Sequence, residues 1–100
     1  GATAAVTYKH GVPVTINTPE NTEYAIAAAQ RVSGGCEESP LVMGGEDFSF
    51  MLLESPGAFI YVGNGPSAGL HHPEYDFNDE AIPAGCSWFA EMVESRLPVS

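Results

Sequence analysis

Ala58-Phe59-Ile60-Tyr61-Val62 is the stretch that most constrains how this chain can fold. It is an unbroken apolar run, rich in aromatic and β-branched side chains, bounded by Pro56-Gly57 and Gly63. A strand with one wet face would alternate apolar with polar residues. A continuous run reads instead as a strand in a sheet covered on both faces. Helical patterns flank it. Thr18-Pro19-Glu20 is a helix start: threonine can cap, proline suits the first helical position, and glutamate suits the positive end of the dipole. Tyr24 to Val32 is alanine-rich, and Gly34-Gly35 ends the helix. The small face of Ala25, Ala28 and Ala29 suits close packing on a neighbouring element.

The remaining segments repeat that alternation. Ala2 to Asn17 reads as extended, broken at His10-Gly11, and Pro13 makes Val12 to Ile16 an edge or the end of a strand. Leu41-Val42-Met43 is a short buried strand by its composition. Gly44-Gly45 then turns the chain, Glu46-Asp47-Phe48 opens a short helix through about Leu53, and Pro56-Gly57 breaks it. Asn78 or Asp79 can cap a last helix, in which Ile82, Cys86, Phe89, Ala90, Val93 and Leu97 form one apolar stripe. The order strand, helix, strand, helix, strand, helix implies an α/β layer structure.

Charge narrows the partners. Thirteen Asp+Glu against three Lys+Arg give a net charge of -10. Phosphate backbones and anionic membranes are disfavoured, because binding them needs clustered Lys or Arg. No run is long and apolar enough to span a membrane, and no signal peptide opens the chain. Only 16% of residues are charged against 44% hydrophobic, an excess of apolar surface that suggests packing against something else. Cys36 and Cys86 could be a disulfide, two buried thiols or one of each; buried thiols are preferred, since nothing else points to secretion.

The chemistry concentrates at Gly69-Leu-His-His-Pro-Glu-Tyr-Asp-Phe-Asn-Asp-Glu-Ala81. Histidine is the commonest metal ligand, and Pro73 stiffens the backbone after the pair. On spacing alone, a surface or hydrogen-bonded role for His71 and His72 outweighs a metal role, since a metal site needs three or four protein ligands. Asp76, Asp79 and Glu80 could orient a ligand, but the last two suit a helix start better. Gly44-Gly45-Glu46-Asp47 lets backbone approach a ligand closely, yet its acids would repel an anion and suit the helix themselves. Gly63-Asn64-Gly65-Pro66 lacks the ending of a phosphate loop. A Ser-His-Asp set drawn from Ser67, His71 and Asp76 has no nucleophile elbow around it. His10 stands alone beside a glycine turn.

Taken together, two motifs carry a resemblance. Val42-Met-Gly-Gly-Glu-Asp-Phe-Ser49, followed by Leu70-His-His-Pro73 and Asp76-Phe-Asn-Asp-Glu-Ala81, resembles the metal-dependent amidohydrolases and aminoacylases. That family includes hippurate hydrolase, N-acyl-amino-acid hydrolases and indole-3-acetyl-amino-acid hydrolases, and is related to zinc carboxypeptidases. The resemblance implies the C-terminal part of a catalytic α/β domain over residues 18–100, preceded over 1–17 by the last strand of an inserted lid or dimerisation domain. It implies hydrolysis of the amide bond of N-acyl amino acids or small peptides by metal-activated water, with two divalent ions (Zn, Mn, Co or Ni). The family pattern, histidine then any residue then proline, assigns the metal ligand to His71. Gly44, Gly45, Glu46 and His72 are then substrate-proximal, no catalytic residue lies in this chain, and the other ligands and the general base lie upstream. A cytoplasmic, homodimeric parent enzyme and an inactive isolated chain follow from the same resemblance. The competing expectation is a non-catalytic acidic interaction module with no metal site.

Overall fold

Helix α1 (Pro19–Ser33) begins and ends where its punctuation says. The computed structural model describes residues 1–99. Pro19 stands at the first helical position after Thr18, whose backbone is extended. At the other end Gly34 takes the left-handed conformation, φ 76°, and its N–H bonds Gln30 O at 2.8 Å. Without a Cβ, glycine enters that region at no steric cost and satisfies an orphan carbonyl there. Thr18 does not cap through its side chain. Its hydroxyl is committed elsewhere, to Gly57.

That commitment joins α1 to the central apolar run. The Gly57 N–H donates to Thr18 Oγ1 at 2.7 Å, and the Thr18 N–H donates to Gly57 O at 2.9 Å. Next door, the Asn17 amide donates to Phe59 O at 2.9 Å and accepts from the Phe59 N–H at 2.8 Å. Residues 17 and 18 thus satisfy both backbone groups of residues 57 and 59. Helix α2 (Phe48–Glu54) packs on the same run from the side, with Phe48 against Phe59 at 5.6 Å between ring centroids. A Cβ at Gly57 would stand 3.1 Å from Leu52 Cδ2, so a larger residue would push that leucine side chain aside.

Helix α3 (Ala81–Arg96) packs on α1. The Trp88 indole N–H donates to Ala25 O at 3.0 Å, and Arg31 donates to Glu91. The Arg96 guanidinium lies over the Tyr24 ring, 3.6 Å from its centroid, a cation–π arrangement. The alanine face of α1 is what lets the helices meet: Ala25 and Ala28 are buried, as their spacing predicts. The apolar stripe of α3 is a different matter. Half-buried Ala84, Trp88 and Met92 turn toward α1, while Ile82, Phe89, Val93 and Leu97 stay exposed.

No β-strand forms among the described residues. Leu41 and Met43, expected in a buried strand, are fully exposed because no layer of the described residues lies over them. Both thiols also depart from expectation: Cys36 and Cys86 are exposed and unpaired. Cys36 lies in the connection after Gly34-Gly35, and Cys86 on the outward stripe of α3, so neither meets a core. Among the described residues only Ala25, Ala28 and Ser49 are fully buried. The radius of gyration is 18.1 Å, against about 13 Å for a compact domain of this length.

Candidate functional site

The histidine pair sits on a closed loop between the central apolar run and α3. Asn64 closes it. Its Nδ2 donates to Asp76 O at 2.8 Å and to Ser67 Oγ at 2.9 Å, and its Oδ1 accepts from the Asn78 N–H at 2.8 Å. Two oxygens opposite one atom and an N–H opposite the other assign the amide orientation. Asn78 then starts α3: its Oδ1 accepts from the Glu80 N–H at 3.0 Å, one residue before the helix proper. This is the capping role its sequence predicts, and Asp79 contributes only its carbonyl, to the Ile82 N–H.

Inside the loop, two turns follow each other. The His72 N–H bonds Gly69 O at 3.0 Å, which makes Leu70 and His71 the central residues of the first. His71 has φ 67°, the one left-handed residue other than glycine among those described. A positive φ at the third position of such a turn normally belongs to glycine or asparagine. Holding histidine there costs about 1–3 kcal/mol. In the second turn the Tyr75 N–H bonds His72 O at 2.9 Å, and Pro73 occupies the position that proline favours.

The two histidines therefore differ. His72 Nδ1 accepts from the Glu74 N–H at 3.1 Å, so that nitrogen is engaged within the loop and the ring proton lies on Nε2. The His71 ring makes no hydrogen bond among the described residues and is exposed. Ser67 is held by Asn64 and donates to Ala68 O, so the Ser67-His71-Asp76 set does not assemble. Among the described residues no three His, Cys, Asp or Glu side chains converge to hold an ion. A lone imidazole fits one donor position of a metal site, and the donors present here go no further than that.

Gly44, Gly45 and Glu46 sit on a different connection, and among the described residues no hydrogen bond links them to the histidine loop. Glu46 Oε1 accepts from the Phe48 N–H at 3.1 Å, so this carboxylate, rather than Asp47, caps α2. Two features escaped sequence reasoning. Ser49, on the first turn of α2, is fully buried with its hydroxyl unpartnered. Val62, Tyr75, Phe77, Ile82, Cys86 and Phe89 line an open apolar cleft of about 350 Å³ between the loop and α3. Ser49 left no signal beyond the motif that contains it. The cleft could have been anticipated from the unmatched stripe on α3.

Comparison with known proteins adds a lineage. The model of "Peptidase family M20/M25/M40" matches residues 3–95. An N-acetyldiaminopimelate deacetylase from Geobacillus sp. is 36% identical over 81 residues, 77% of this chain and 21% of that protein. A hippurate hydrolase from Campylobacter jejuni is 32% identical over 89 residues, 85% of this chain and 23% of that protein. An IAA-amino acid hydrolase from Arabidopsis thaliana is 43% identical over 66 residues, 61% of this chain and 15% of that protein. The chain thus spans less than a quarter of the length of the curated relatives it matches. No solved structure matches it.

Proposed function

The chain belongs to peptidase family M20/M25/M40, and from that premise we propose that it is the C-terminal part of a metal-dependent hydrolase of N-acyl amino acids or small peptides. The relatives' names support the substrate class: a deacetylase and a hippurate hydrolase both cleave an acyl group from an amino acid. In this reading residues 18–100 complete a catalytic α/β domain, and residues 1–17 end a lid or dimerisation domain. The exposed apolar stripe of α3 and the exposed Leu41 and Met43 support that architecture, since both fit surfaces that a sheet and further helices would cover. A homodimeric parent working in the cytoplasm belongs to the same proposal. No helix among the described residues is long and apolar enough to cross a membrane. The acidic interaction module is set aside, because the relatives are named as hydrolases.

His71 carries the reading. A histidine held at φ 67°, where a turn prefers glycine, is an observed outlier on an exposed ring inside the family's own motif. Its ring nitrogen would hold one divalent ion, drawn from Zn, Mn, Co or Ni, and the second ion would use donors outside this chain. Bound there, the ions would supply Lewis-acid polarisation of the scissile carbonyl and a water activated for attack. The chain's own residues do the rest. The Gly69–His72 turn presents His71 exposed, and His72 commits Nδ1 to the Glu74 N–H in the next turn. Gly44, Gly45 and Glu46 would border the substrate, with Glu46 contributing through the capped start of α2 rather than as an acid or base.

The test is turnover by the full-length enzyme. His71→Ala should lower hydrolysis of an N-acyl amino acid by at least about 100-fold and remove bound metal, while the 100-residue chain alone should hydrolyse none. Turnover at the parent level in the His71→Ala enzyme would overturn the assignment.

A further inference from the structure

We infer that Asn64 is the positioning residue that fixes the His71 turn for metal coordination. The inference rests on the reading of His71 as a ligand and goes beyond it, to the group that holds the ligand in place.

A histidine at φ 67° persists only where the surrounding structure over-determines it. Neither helix nor sheet supplies that constraint, since residues 63–78 contain no regular element. Beyond the two local turns, the side chain that closes the loop is Asn64. Asn64 ties its own end of the loop to Asp76 O and to the Asn78 N–H, across 12 and 14 residues. A third bond, to Ser67, stiffens the first bend. His71 lies near the middle of the ring these bonds close, and among the described residues the Gly69–His72 turn bonds only within that ring, through His72 to Glu74 and Tyr75.

The chemistry asks for asparagine. The position must donate twice and accept once, with both groups within one short planar amide. Aspartate would accept from Asn78 but present an oxygen to the Asp76 carbonyl. Glutamine would carry the amide one methylene too far. Alanine would leave the half-buried Asn78 N–H without its partner and release the Asp76 carbonyl to water. The next residue, Gly65, takes φ 73° and turns the backbone away, and a Cβ there would stand 3.6 Å from Asn78 Nδ2. The same clamp seats Asn78, which starts α3, so the ligand turn and the helix share one anchor.

The probe is Co²⁺ alone, titrated into the metal-free full-length enzyme and followed by its visible absorption. Asn64→Ala should weaken Co²⁺ binding about 10–100-fold, the range for groups that orient metal ligands, with far-ultraviolet circular dichroism unchanged. Asn64→Asp should weaken it less and alter the Co²⁺ absorption band, a change in ligand geometry that a purely structural role would not produce. If the alanine variant does not fold, the aspartate variant decides by the same band and affinity. Co²⁺ affinity within about twofold of the parent and an unchanged band in the folded variants would overturn the inference. His71→Ala, run in parallel, separates the two ideas. Loss of Co²⁺ in His71→Ala with none in the Asn64 variants removes only the role of Asn64. Full Co²⁺ binding by His71→Ala removes the ligand reading and this inference with it.

Discussion

At the scale of single residues, the histidine pair divides into a strained member and a relaxed one. His71 stands at φ 67° with its ring exposed, and His72 anchors a turn through Nδ1. The strain makes a prediction separate from catalysis. Left-handed backbone costs an L-residue with a Cβ about 1–2 kcal/mol, part of which glycine returns through a more flexible unfolded chain. In the metal-free protein His71→Gly should therefore be more stable than His71→Ala by about 0.5–1 kcal/mol, read from urea unfolding. Both variants should lose the metal. Equal stability would mean that the turn relaxes once the imidazole is gone. The register proposed for the ligand comes from the motif, because proline two residues on marks which histidine is meant. The left-handed backbone of His71 was not legible, since such a conformation is signalled by glycine or asparagine at the third position of the turn, and this turn has histidine there.

At the scale of elements, what was local was readable and what was relational was not. Thr18-Pro19 and Gly34 announced both ends of α1, and Asn78 announced the start of α3. Which side of α3 meets α1 was not announced. The apolar stripe from Ile82 to Leu97 suggested one face, yet Trp88 turns the other face inward by bonding Ala25 O. Trp88→Ala should cost about 2 kcal/mol, below the 3–5 of a fully buried ring, because this one is only half-buried. Ala28→Leu should cost about 1–3 kcal/mol by overpacking the helix contact. Thermal unfolding of the protein measures both.

The same interface holds a pH-sensitive pair. The Tyr24 hydroxyl donates to Glu20 Oε1 at 2.6 Å, and this bond to a carboxylate, followed by partial burial, holds the phenol above its usual 10.0 while Arg96 pulls the other way. A raised phenol pKa means the bond contributes at neutral pH and is lost as pH climbs through the folded value. Glu20→Gln should bring the Tyr24 titration down, followed by absorbance near the phenolate band. No movement would show that Glu20 is not the cause.

At the scale of the whole molecule, the chain measures 71 × 38 × 19 Å and buries little. Helices close their own hydrogen bonds, so they form from local signals. A strand needs a neighbour, and among the described residues Ala58 to Val62 meets the Asn17 side chain at Phe59 and the Phe48 ring of α2, with Thr18 holding Gly57 just before the run. The α/β layering proposed for the parent enzyme therefore needs partners for this run beyond the described residues. Until they are supplied, Leu41, Met43 and the α3 stripe face water, and the isolated chain should bind hydrophobic dyes and associate with itself.

How far that association runs follows from the clamp at residues 17 and 18. In extended backbone the N–H and C=O of one residue point to the same edge, and those of the next residue to the other. Gly57 and Phe59 share an edge, and both have their groups taken by Thr18 and Asn17. Among the described residues the edge carrying Ala58 and Ile60 is open to a second chain, whereas the other is closed as far as Phe59. In the language of polymer chemistry, this segment is a monofunctional unit: it can couple once and then terminates. Two copies can join through it edge to edge, but no third can add. Sedimentation of the isolated chain should therefore show dimers, and Asn17→Ala, which frees the second edge at Phe59, should shift the distribution toward longer assemblies.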